Sequence, residues 1–409
     1  MRQYRKMPDC KNSLIGTEFQ SVRVLRTVDH CKSKKGNSMS ENKGTMEARI
    51  SRRNFNLLGL GSAVALVAMR AGPSWAAGEK ITFYGYGGQS KKNMHEVVFT
   101  PFTQATGIEV VEGTFGDETE IITRLKSGGA GDLSVFSNAG FDMYKRYVDL
   151  GANSELNEDN IPNLKLVSPV LIEQLRKLTP NGKLSAIPYL YGTTGIAYNT
   201  KHVSREEAKK LGYKLLWDKR FSGKIALSNY ALDRIWSAAL YTGQDPNKLS
   251  DTNAIFAALR EQRPLVKKYW ESGSEVMDLL AKEEVVVAET WSTRAAALKK
   301  DNYPIEYLEP EQCQAWVQNL FVLKGAPMEP CEKLLDLMLK PEINFEYCMR
   351  TNNGSALDPR KTNFPDQLKN QPGFDPSGTF EGFNIPDGAY WAEQIDKLEP
   401  QWRRVARGA

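Results

Sequence analysis

Strand patterns that alternate with helix patterns after residue 78 predict an α/β protein of two lobes, joined by two crossover strands. Two stretches support this prediction. Ile187–Asn199 indicates a strand, a Gly/Thr-rich turn and a second strand, and would be the first crossing between the lobes. Val285–Arg294 would bring the chain back. We expect the chain before the first crossing to build one lobe and most of the chain after it to build the other, with the ligand between the two crossings.

Length and charge agree with more than one domain. The chain has 409 residues, and this length favours two domains or more. Residues 1–77 carry 14 Lys and Arg against 5 Asp and Glu, a net charge of +9. The whole chain carries +5, so residues 78–409 carry −4. A mildly acidic body gives no reason to expect nucleic acid as a partner, because nucleic acid needs a basic face.

Cysteine and histidine usage predicts neither a cofactor nor a metal site. Of the five cysteines, Cys313, Cys331 and Cys348 belong to the body, which is an odd number. One disulfide among them would fit an oxidising compartment, but the sequence does not choose the pair. The three histidines are widely spaced and distant from the cysteines, so the usual zinc spacing is absent.

The basic leader contains an export signal. Arg52 and Arg53 precede the apolar run Leu57–Met69, which is shorter than the ~20 residues that a membrane-spanning helix needs. A small-residue cleavage site follows near Ala76 or Ala77. The arginine pair is typical of twin-arginine export, and an ordinary secretory signal or a short buried helix are the alternatives.

Residues 1–45 precede this signal and are polar, basic and without periodicity. A signal normally lies near the start of a chain, and Met46 lies five residues before Ser51. We therefore interpret residues 1–45 either as a disordered extension or as a segment upstream of the true start at Met46.

The first part of the body alternates short strands and helices. Strands are predicted at Lys80–Tyr86, Ile108–Val111 and Leu133–Ser137, and helices at Asn93–Thr106, Asp117–Lys126 and Phe141–Tyr147. This order favours a parallel sheet, in which ligands bind beyond the carboxyl ends of the strands. We therefore expect Tyr86, Gly87, Gly88 and Asn138 on one rim, with Tyr84 and Ser137 beside them.

The second part of the body is predicted in the same way. The elements are the strand Ile225–Ser228, helices Asp233–Thr242, Asn253–Trp270 and Ser274–Ala281, the strand Val285–Ala288, the helix Arg294–Lys299, the strand Ala315–Leu323 that returns to the first sheet, and helices Cys331–Leu339, Pro341–Tyr347 and Ala389–Leu398. The resulting domains are residues 78–188 with 292–350 as lobe 1, 189–291 as lobe 2, and 351–409 as a C-terminal segment across the lobes.

Four stretches resemble one known family. They are Phe83–Tyr86, Asp132–Ser137, Pro188–Asn199 and Glu289–Ser292, in that order behind an export signal. The chain resembles the periplasmic solute-binding proteins of ABC importers, of the spermidine/putrescine-binding type, over nearly all of residues 79–409. The resemblance implies a two-lobed periplasmic-binding-protein fold of type II, whose lobes close on a ligand. It also implies a monomer that catalyses no reaction and delivers its solute to an inner-membrane ABC permease.

The sequence differs from the family pattern at two places, and these differences change the ligand that we expect. Polyamine binders enclose the ligand with aromatics and pair its ammonium groups with carboxylates. The aromatics are present at Tyr84, Tyr86, Tyr191, Trp236 and Trp291. However, Gly87 and Gly88 stand where the family often has an Asp, and Arg294 stands where it can have another. Since arginine binds carboxylate or phosphate, we expect a ligand with an anionic or zwitterionic group. Glu289, Asp233 and Asp142 remain as candidate partners for one ammonium.

The expected ligand contacts are Tyr86, Gly87, Gly88, Asn138, Tyr191, Trp236, Trp291 and Arg294. Several have a structural alternative. Trp236 and Trp291 are equally typical of a core, and the Gly pair of a simple turn. Arg294 begins a predicted helix, where the helix dipole disfavours a cation, so it needs an acidic partner. That partner is either the ligand or a structural carboxylate such as Glu289.

Two further functions fit an exported protein. One is an enzyme, but the sequence has no Gly-x-Ser-x-Gly motif, no His/Cys cluster and no dinucleotide-binding fingerprint. The other is a relative that binds ferric iron through tyrosines, but the consecutive tyrosine pair typical of such proteins is missing.

Overall fold

The computed structural model describes residues 79–116, 118–128 and 131–408. The predictions for residues 1–77, including the signal at Arg52 and Arg53 and its cleavage near Ala76 or Ala77, lie outside these residues. In the part of the chain that is described, no helix combines the length and the apolar character that crossing a membrane requires.

One sheet of ten strands runs through both lobes. The strands are β1 Lys80–Tyr86, β2 Glu109–Phe115, β3 Val135–Ala139, β4 Ala186–Asn199, β5 Ile225–Ser228, β6 Val266–Trp270, β7 Val287–Trp291, β8 Ile305–Leu308, β9 Gln314–Val322 and β10 Gly354–Ser355. Their order is β2-β1-β3-β9-β4-β7-β5-β6, and β8 and β10 also pair with β4. The sheet is thus mixed, with parallel strands toward its two ends.

Helices cover the sheet. They are α1 Gln89–Met94, α2 Thr100–Thr106, α3 Thr119–Lys126, α4 Phe141–Asp149, α5 Pro169–Lys177, α6 Arg205–Leu211, α7 Ala231–Tyr241, α8 Thr252–Gln262, α9 Gly273–Ala281, α10 Ser292–Lys300, α11 Met328–Met338, α12 Pro341–Thr351, α13 Asp366–Lys369 and α14 Gly388–Ala406. A π-helical turn, His95–Phe99, joins α1 to α2. The prediction of a two-lobed α/β fold is confirmed.

In lobe 1, strand β1 pairs in parallel with both β2 and β3. Strand β9 then pairs antiparallel with β3 and β4, as predicted for a strand that returns to the first sheet. The core on this side includes Phe83, Val98, Phe136 and Phe321, all buried. Because β1 and β3 are parallel, their carboxyl ends lie at the same edge of the sheet.

The first crossing is one continuous strand, which corrects the predicted strand, turn and strand over Ile187–Asn199. All residues of β4 are buried. Strand β9 pairs with it as far as Thr194, and β7 pairs with it from Thr194 to Tyr198. The Gly and Thr residues at its centre therefore stay in the ladder. β-Branched threonine suits a strand, and hydrogen bonds on both sides override the turn preference of glycine.

In lobe 2, β5 pairs in parallel with β7 and β6, so their carboxyl ends also share an edge. The helix predicted over Asn253–Trp270 is wrong. Helix α8 ends at Gln262, Arg263–Leu265 form a 3₁₀ turn, and Val266–Trp270 are strand β6. Pro264 explains the change, because proline lacks the N–H for a helical hydrogen bond and disfavours helical conformation in the preceding residue.

The C-terminal helix α14 contacts both lobes. Its apolar face lies in the lobe-2 core through Trp391, Ile395, Leu398, Trp402 and Val405. The same helix also packs on α4 of lobe 1, where Arg146 donates to Asp396 at 3.0 Å. The helix is longer than the predicted Ala389–Leu398 and continues through Pro400.

The three cysteines of the body are free and buried. Burial raises the pKa of the thiols of Cys313, Cys331 and Cys348, that of Cys331 to about 12. Cys313, Cys331 and Cys348 therefore form no disulfide with one another. Buried neutral thiols of this kind behave as small apolar side chains.

Candidate ligand-binding site

Two sets of polar and aromatic side chains lie at the carboxyl edges of the two halves of the sheet. The lobe-1 rim follows β1, β2 and β3 and consists of Tyr86, Gly87, Gly88, Glu118, Ser137, Asn138 and Asp142. The lobe-2 rim follows β5 and β7 and consists of Ser228, Tyr230, Asp233, Trp291 and Arg294.

The two rims are within electrostatic reach of each other. Burial raises the pKa of Asp142 to about 6, and the charge of Asp233 in the other lobe adds to this shift. Burial also raises the pKa of Asp233, which accepts a hydrogen bond from Ser228 Oγ at 2.7 Å. The two carboxylates, one on each rim, are therefore close enough for their charges to interact at the cleft, where the sequence predicted the ligand.

Glu118, which the sequence did not single out, is the central acid of the lobe-1 rim. It immediately precedes α3 and is only 8% exposed. The Tyr86 hydroxyl donates to its Oε1, which also accepts the backbone N–H of Ala139 at 2.7 Å. Asn138 Nδ2 donates to its Oε2 at 3.3 Å. Burial raises the pKa of Glu118 to about 8, although these hydrogen bonds oppose the shift.

Asn138 connects this acid to β9. Asn319 Nδ2 donates to Asn138 Oδ1 at 3.3 Å, and both side chains are fully buried. Within the described part of the chain, no donor reaches Asn319 Oδ1. Because a buried acceptor without a donor is costly, this oxygen favours a visiting donor at the site.

A small cavity lies beneath Tyr86. Its volume is about 10 Å³, and its lining includes Tyr86, Ser137, Tyr189 and Tyr347. This volume is close to that needed for one water molecule. Ser137 Oγ lies 3.0 Å from the Tyr189 hydroxyl, which donates to Gln318 Oε1 at 2.8 Å. This cavity is thus too small for an organic solute.

Tyr84 and Tyr86, both on β1, have different surroundings. Tyr86 packs edge-on against Phe115 and reaches Glu118, whereas Tyr84 covers Gly113 and has the Arg124 guanidinium 4.9 Å from its ring. Of the two tyrosines, only Tyr86 joins the rim contacts just described. Gly87 and Gly88 are exposed after β1, and Gly88 has a φ of 64°, which favours glycine.

The lobe-2 rim is aromatic. Trp291, at the end of β7, is half-buried and packs edge-on against Trp270 with ring centroids 5.1 Å apart. The Tyr230 ring lies 6.1 Å from Trp291 and is 42% exposed. A half-exposed Trp beside an exposed Tyr at a cleft suits stacking against a ligand.

Arg294 completes this rim and lacks an acidic partner. Its guanidinium lies 5.6 Å from the centroid of the Trp291 ring. Among the described residues no carboxylate pairs with it, and its Nε is buried without an acceptor. Burial lowers the pKa of Arg294, with no opposing contribution from an acid. Gly273 leaves the room it needs, because a Cβ there would overlap the Arg294 side chain.

Glu289 is not available to Arg294 or to a ligand. This corrects its two expected roles, as a partner of the ligand's ammonium and as a structural partner of Arg294. Its carboxylate pairs with Arg234, and the two side chains are 2% and 0% exposed. Such a buried pair is costly to separate. The helix N-terminal position expected for Arg294 is confirmed, since α10 begins at Ser292.

Two of the predicted contacts lie apart from the rims. Trp236 is 1% exposed in the lobe-2 core, and its ring centroid is 6.2 Å from that of Trp391. Tyr191 is buried on β4 and packs edge-on against Phe380 at 4.8 Å. Its hydroxyl accepts the backbone N–H of Asp375 at 3.0 Å. The structure therefore brings together Tyr86, Asn138, Trp291 and Arg294 at the rims, but neither of these two.

No group of acidic, histidine or cysteine side chains in the described residues has the arrangement of a metal site. The arrangement of the rims is instead that of a site for a small organic molecule, with a few polar groups among aromatics.

Comparison with known proteins identifies the family. Residues 98–374 match the sequence model of the family described as bacterial extracellular solute-binding protein. The spermidine/putrescine-binding periplasmic protein 1 of Haemophilus influenzae is 24% identical over 299 residues, which are 72% of this chain and 79% of that protein. The gamma-aminobutyric acid-binding protein of Pseudomonas aeruginosa is 22% identical over 356 residues, or 82% and 93% of the two chains.

A solved structure supports the same fold. The spermidine/putrescine ABC transporter substrate-binding protein of Streptococcus pneumoniae aligns with a TM-score of 0.66 at 21% identity, covering 80% of this chain and 99% of that one. The matched family consists of solute-binding proteins of transport systems and not of enzymes. This chain therefore belongs to the family of bacterial extracellular solute-binding proteins.

Proposed function

We propose that this protein captures a small solute that carries both an amino group and a carboxylate. The observation behind the proposal is Arg294, whose guanidinium is partly buried over Trp291 without an acid among the described residues. A guanidinium offers a planar fork of donors that matches a carboxylate. The ligand's carboxylate is its partner, and it offsets the cost of keeping this cation away from water.

The amino group of the solute is proposed because three acidic side chains lie at the cleft. Glu118 and Asp142 lie on the lobe-1 rim and Asp233 on the lobe-2 rim, all less than a tenth exposed. Buried carboxylates need a cation or a proton to neutralise them. The relative from Pseudomonas aeruginosa is named for gamma-aminobutyric acid, a solute with both groups.

Capture is a matter of closure and stacking. The lobes close over the solute, and the exposed Tyr230 with the half-buried Trp291 supplies an aromatic surface for its carbon chain. Tyr86 and Asn138 contribute polar contacts from the other rim, and Gly87 and Gly88 bring bare backbone to it. The protein makes and breaks no covalent bond.

In the cell, the protein is proposed to act as a periplasmic monomer. Arg52 and Arg53 direct twin-arginine export, and cleavage falls near Ala76 or Ala77. The loaded protein then delivers its solute to an inner-membrane ABC permease.

A diamine or polyamine is the second candidate, favoured by the three rim carboxylates, Glu118, Asp142 and Asp233. The relative from Haemophilus influenzae is named for such ligands. In this case Arg294 would have no ligand carboxylate to pair with, and its replacement would not weaken binding.

The test is calorimetric titration of residues 78–409 with three four-carbon solutes: putrescine, gamma-aminobutyrate and succinate. We expect gamma-aminobutyrate to bind best. Arg294→Gln should weaken it by about tenfold or more, since a hydrogen bond to a charged group contributes about 1.5–3 kcal/mol. Arg260→Gln, on an exposed position of α8, is the matched control. Tight putrescine binding that Arg294→Gln leaves unchanged would refute the proposal in favour of the diamine.

A further inference from the structure

We infer that Glu118, together with Tyr86 and Asn138, forms the subsite for the ammonium group of the ligand in lobe 1. The inference rests on the proposed function, because it identifies where the amino end of the solute binds. It also fixes the direction of the solute, with the amino end on lobe 1 and the carboxylate on Arg294 of lobe 2.

Glu118 has spare acceptor capacity on one oxygen. A carboxylate accepts about four hydrogen bonds, two at each oxygen. Oε1 is filled by the Tyr86 hydroxyl and the Ala139 N–H. Among the residues that the structure describes, Oε2 accepts only from Asn138 Nδ2, at a long 3.3 Å. An ammonium is a donor of the right kind for the remaining position, since it has three N–H groups and no acceptor.

The charge of Glu118 is also unbalanced. Its contacts in the described structure are neutral donors, and the ionised group that affects it, Asp142, is another acid. A carboxylate that accepts only neutral donors in a buried place retains a desolvation cost that a cation would remove. Hydrogen bonds alone would suffice to join β1 to β3, so a neutral side chain would serve a purely structural role there.

An independent observation comes from Asn319. Its Oδ1 is fully buried and lacks a donor, while its Nδ2 donates to Asn138, the neighbour of Glu118. The site thus has an unused acceptor on a neutral amide as well as one on a carboxylate. A primary ammonium, with three N–H groups, is a donor suited to acceptors of both kinds, whereas an anion or an apolar group can satisfy neither.

The experiment compares gamma-aminobutyrate with butyrate, which lacks the amino group, by calorimetric competition on the full chain. In the wild-type protein the amine should bind more tightly. In Glu118→Gln the affinity for gamma-aminobutyrate should fall about tenfold to a hundredfold, with butyrate unchanged. The matched control is Glu120→Gln, an exposed position two residues further along. An amine preference that survives in Glu118→Gln would overturn the inference.

Failures of the two ideas are distinguishable. Loss of gamma-aminobutyrate binding in Arg294→Gln but not in Glu118→Gln overturns the inference alone. Putrescine binding that depends on Glu118 but not on Arg294 overturns the proposed function and leaves the ammonium subsite standing. Wild-type protein that binds neither amine overturns both.

A second measurement keeps the test decisive if Glu118→Gln does not fold. The groups that face Glu118 are Tyr86, Tyr147, Tyr189, Asn138 and Asp142. Its pKa of about 8 means that an ammonium ligand has to displace a proton at pH 7. Titration of the wild-type protein in two buffers of different ionisation enthalpy should then show about one proton released per ligand. No proton release would overturn the inference.

Discussion

The buried carboxyl of Glu118 should make the ligand-free protein lose stability as the pH rises. The folded state raises the pKa of this group from 4.5 to about 8. Between these values the folded chain holds a proton that the unfolded chain has released. Stability is therefore fully present below pH 4.5, falls through neutral pH and levels off above about pH 8.

The size of this effect follows from the two pKa values. The free energy of unfolding should fall by about 1.4 kcal/mol for each pH unit inside the window. Between pH 5 and pH 7 the loss from Glu118 alone is about 3 kcal/mol, an upper figure because the folded site can relax. Such a loss is a large part of the ~5–15 kcal/mol that stabilises a typical protein.

Glu118→Gln removes the titrating group and tests the argument. Urea unfolding of both proteins, followed by tryptophan fluorescence at pH 5, 6, 7 and 8, gives the free energy of unfolding at each pH. The advantage of Gln over Glu should grow by about 1.4 kcal/mol per pH unit. Asp142→Asn is the internal control, because the pKa of Asp142 is raised only to about 6 and its advantage should stop growing near that pH. If the free energies of unfolding of Glu118→Gln and the wild-type protein differ by the same amount at pH 5 and pH 8, the reasoning is refuted.

Three further outcomes are expected. Arg234→Met should lower the free energy of unfolding by about 3–5 kcal/mol, because it leaves Glu289 buried and unpaired. The double variant with Glu289→Leu should recover most of this loss. Chemical unfolding that gives the same loss for the single and the double variant would contradict the prediction. Trp236→Ala should cost about 3–5 kcal/mol by opening a cavity in the lobe-2 core, with a dissociation constant within about threefold of wild type in calorimetry; a larger change in affinity would place Trp236 at the ligand. Arg52→Lys with Arg53→Lys should leave uncleaved precursor in the cytoplasm on fractionation and immunoblotting, while normal export would point to the ordinary secretory route.

Most of the predicted strands and helices are present, because each has its own periodicity, but α5, α6, β8 and β10 were not predicted. Two errors have definite causes. Over Asn253–Trp270 one helical pattern was extended past Pro264, where proline stops the helix and the next residues enter the sheet as β6. At the centre of β4 the glycines looked like turn residues, but the Trp316 ring and the Leu308 carbonyl lie where their side chains would be.

The candidate site was accessible only in part. Trp291 and Arg294 could be placed because they follow a strand and begin a helix, which is a local pattern. Glu118 could not, since its neighbours in sequence are polar and typical of a solvated helix start. Its burial comes from Tyr86 and Asn138, which are distant in sequence and meet it only when β1 and β3 are side by side. Which of these side chains touch the ligand stays a prediction.

The unbroken strand β4 has a consequence for how the two lobes can move. A loop would let them swing freely, but β4 carries hydrogen bonds to β9 at one end and to β7 and β8 at the other. Closure would therefore have to twist a strand that is held by hydrogen bonds along its length. Other atoms pack closely against this strand at Gly192 and Gly195. We therefore expect the range of closure to be set by how far this hydrogen-bonded strand can twist.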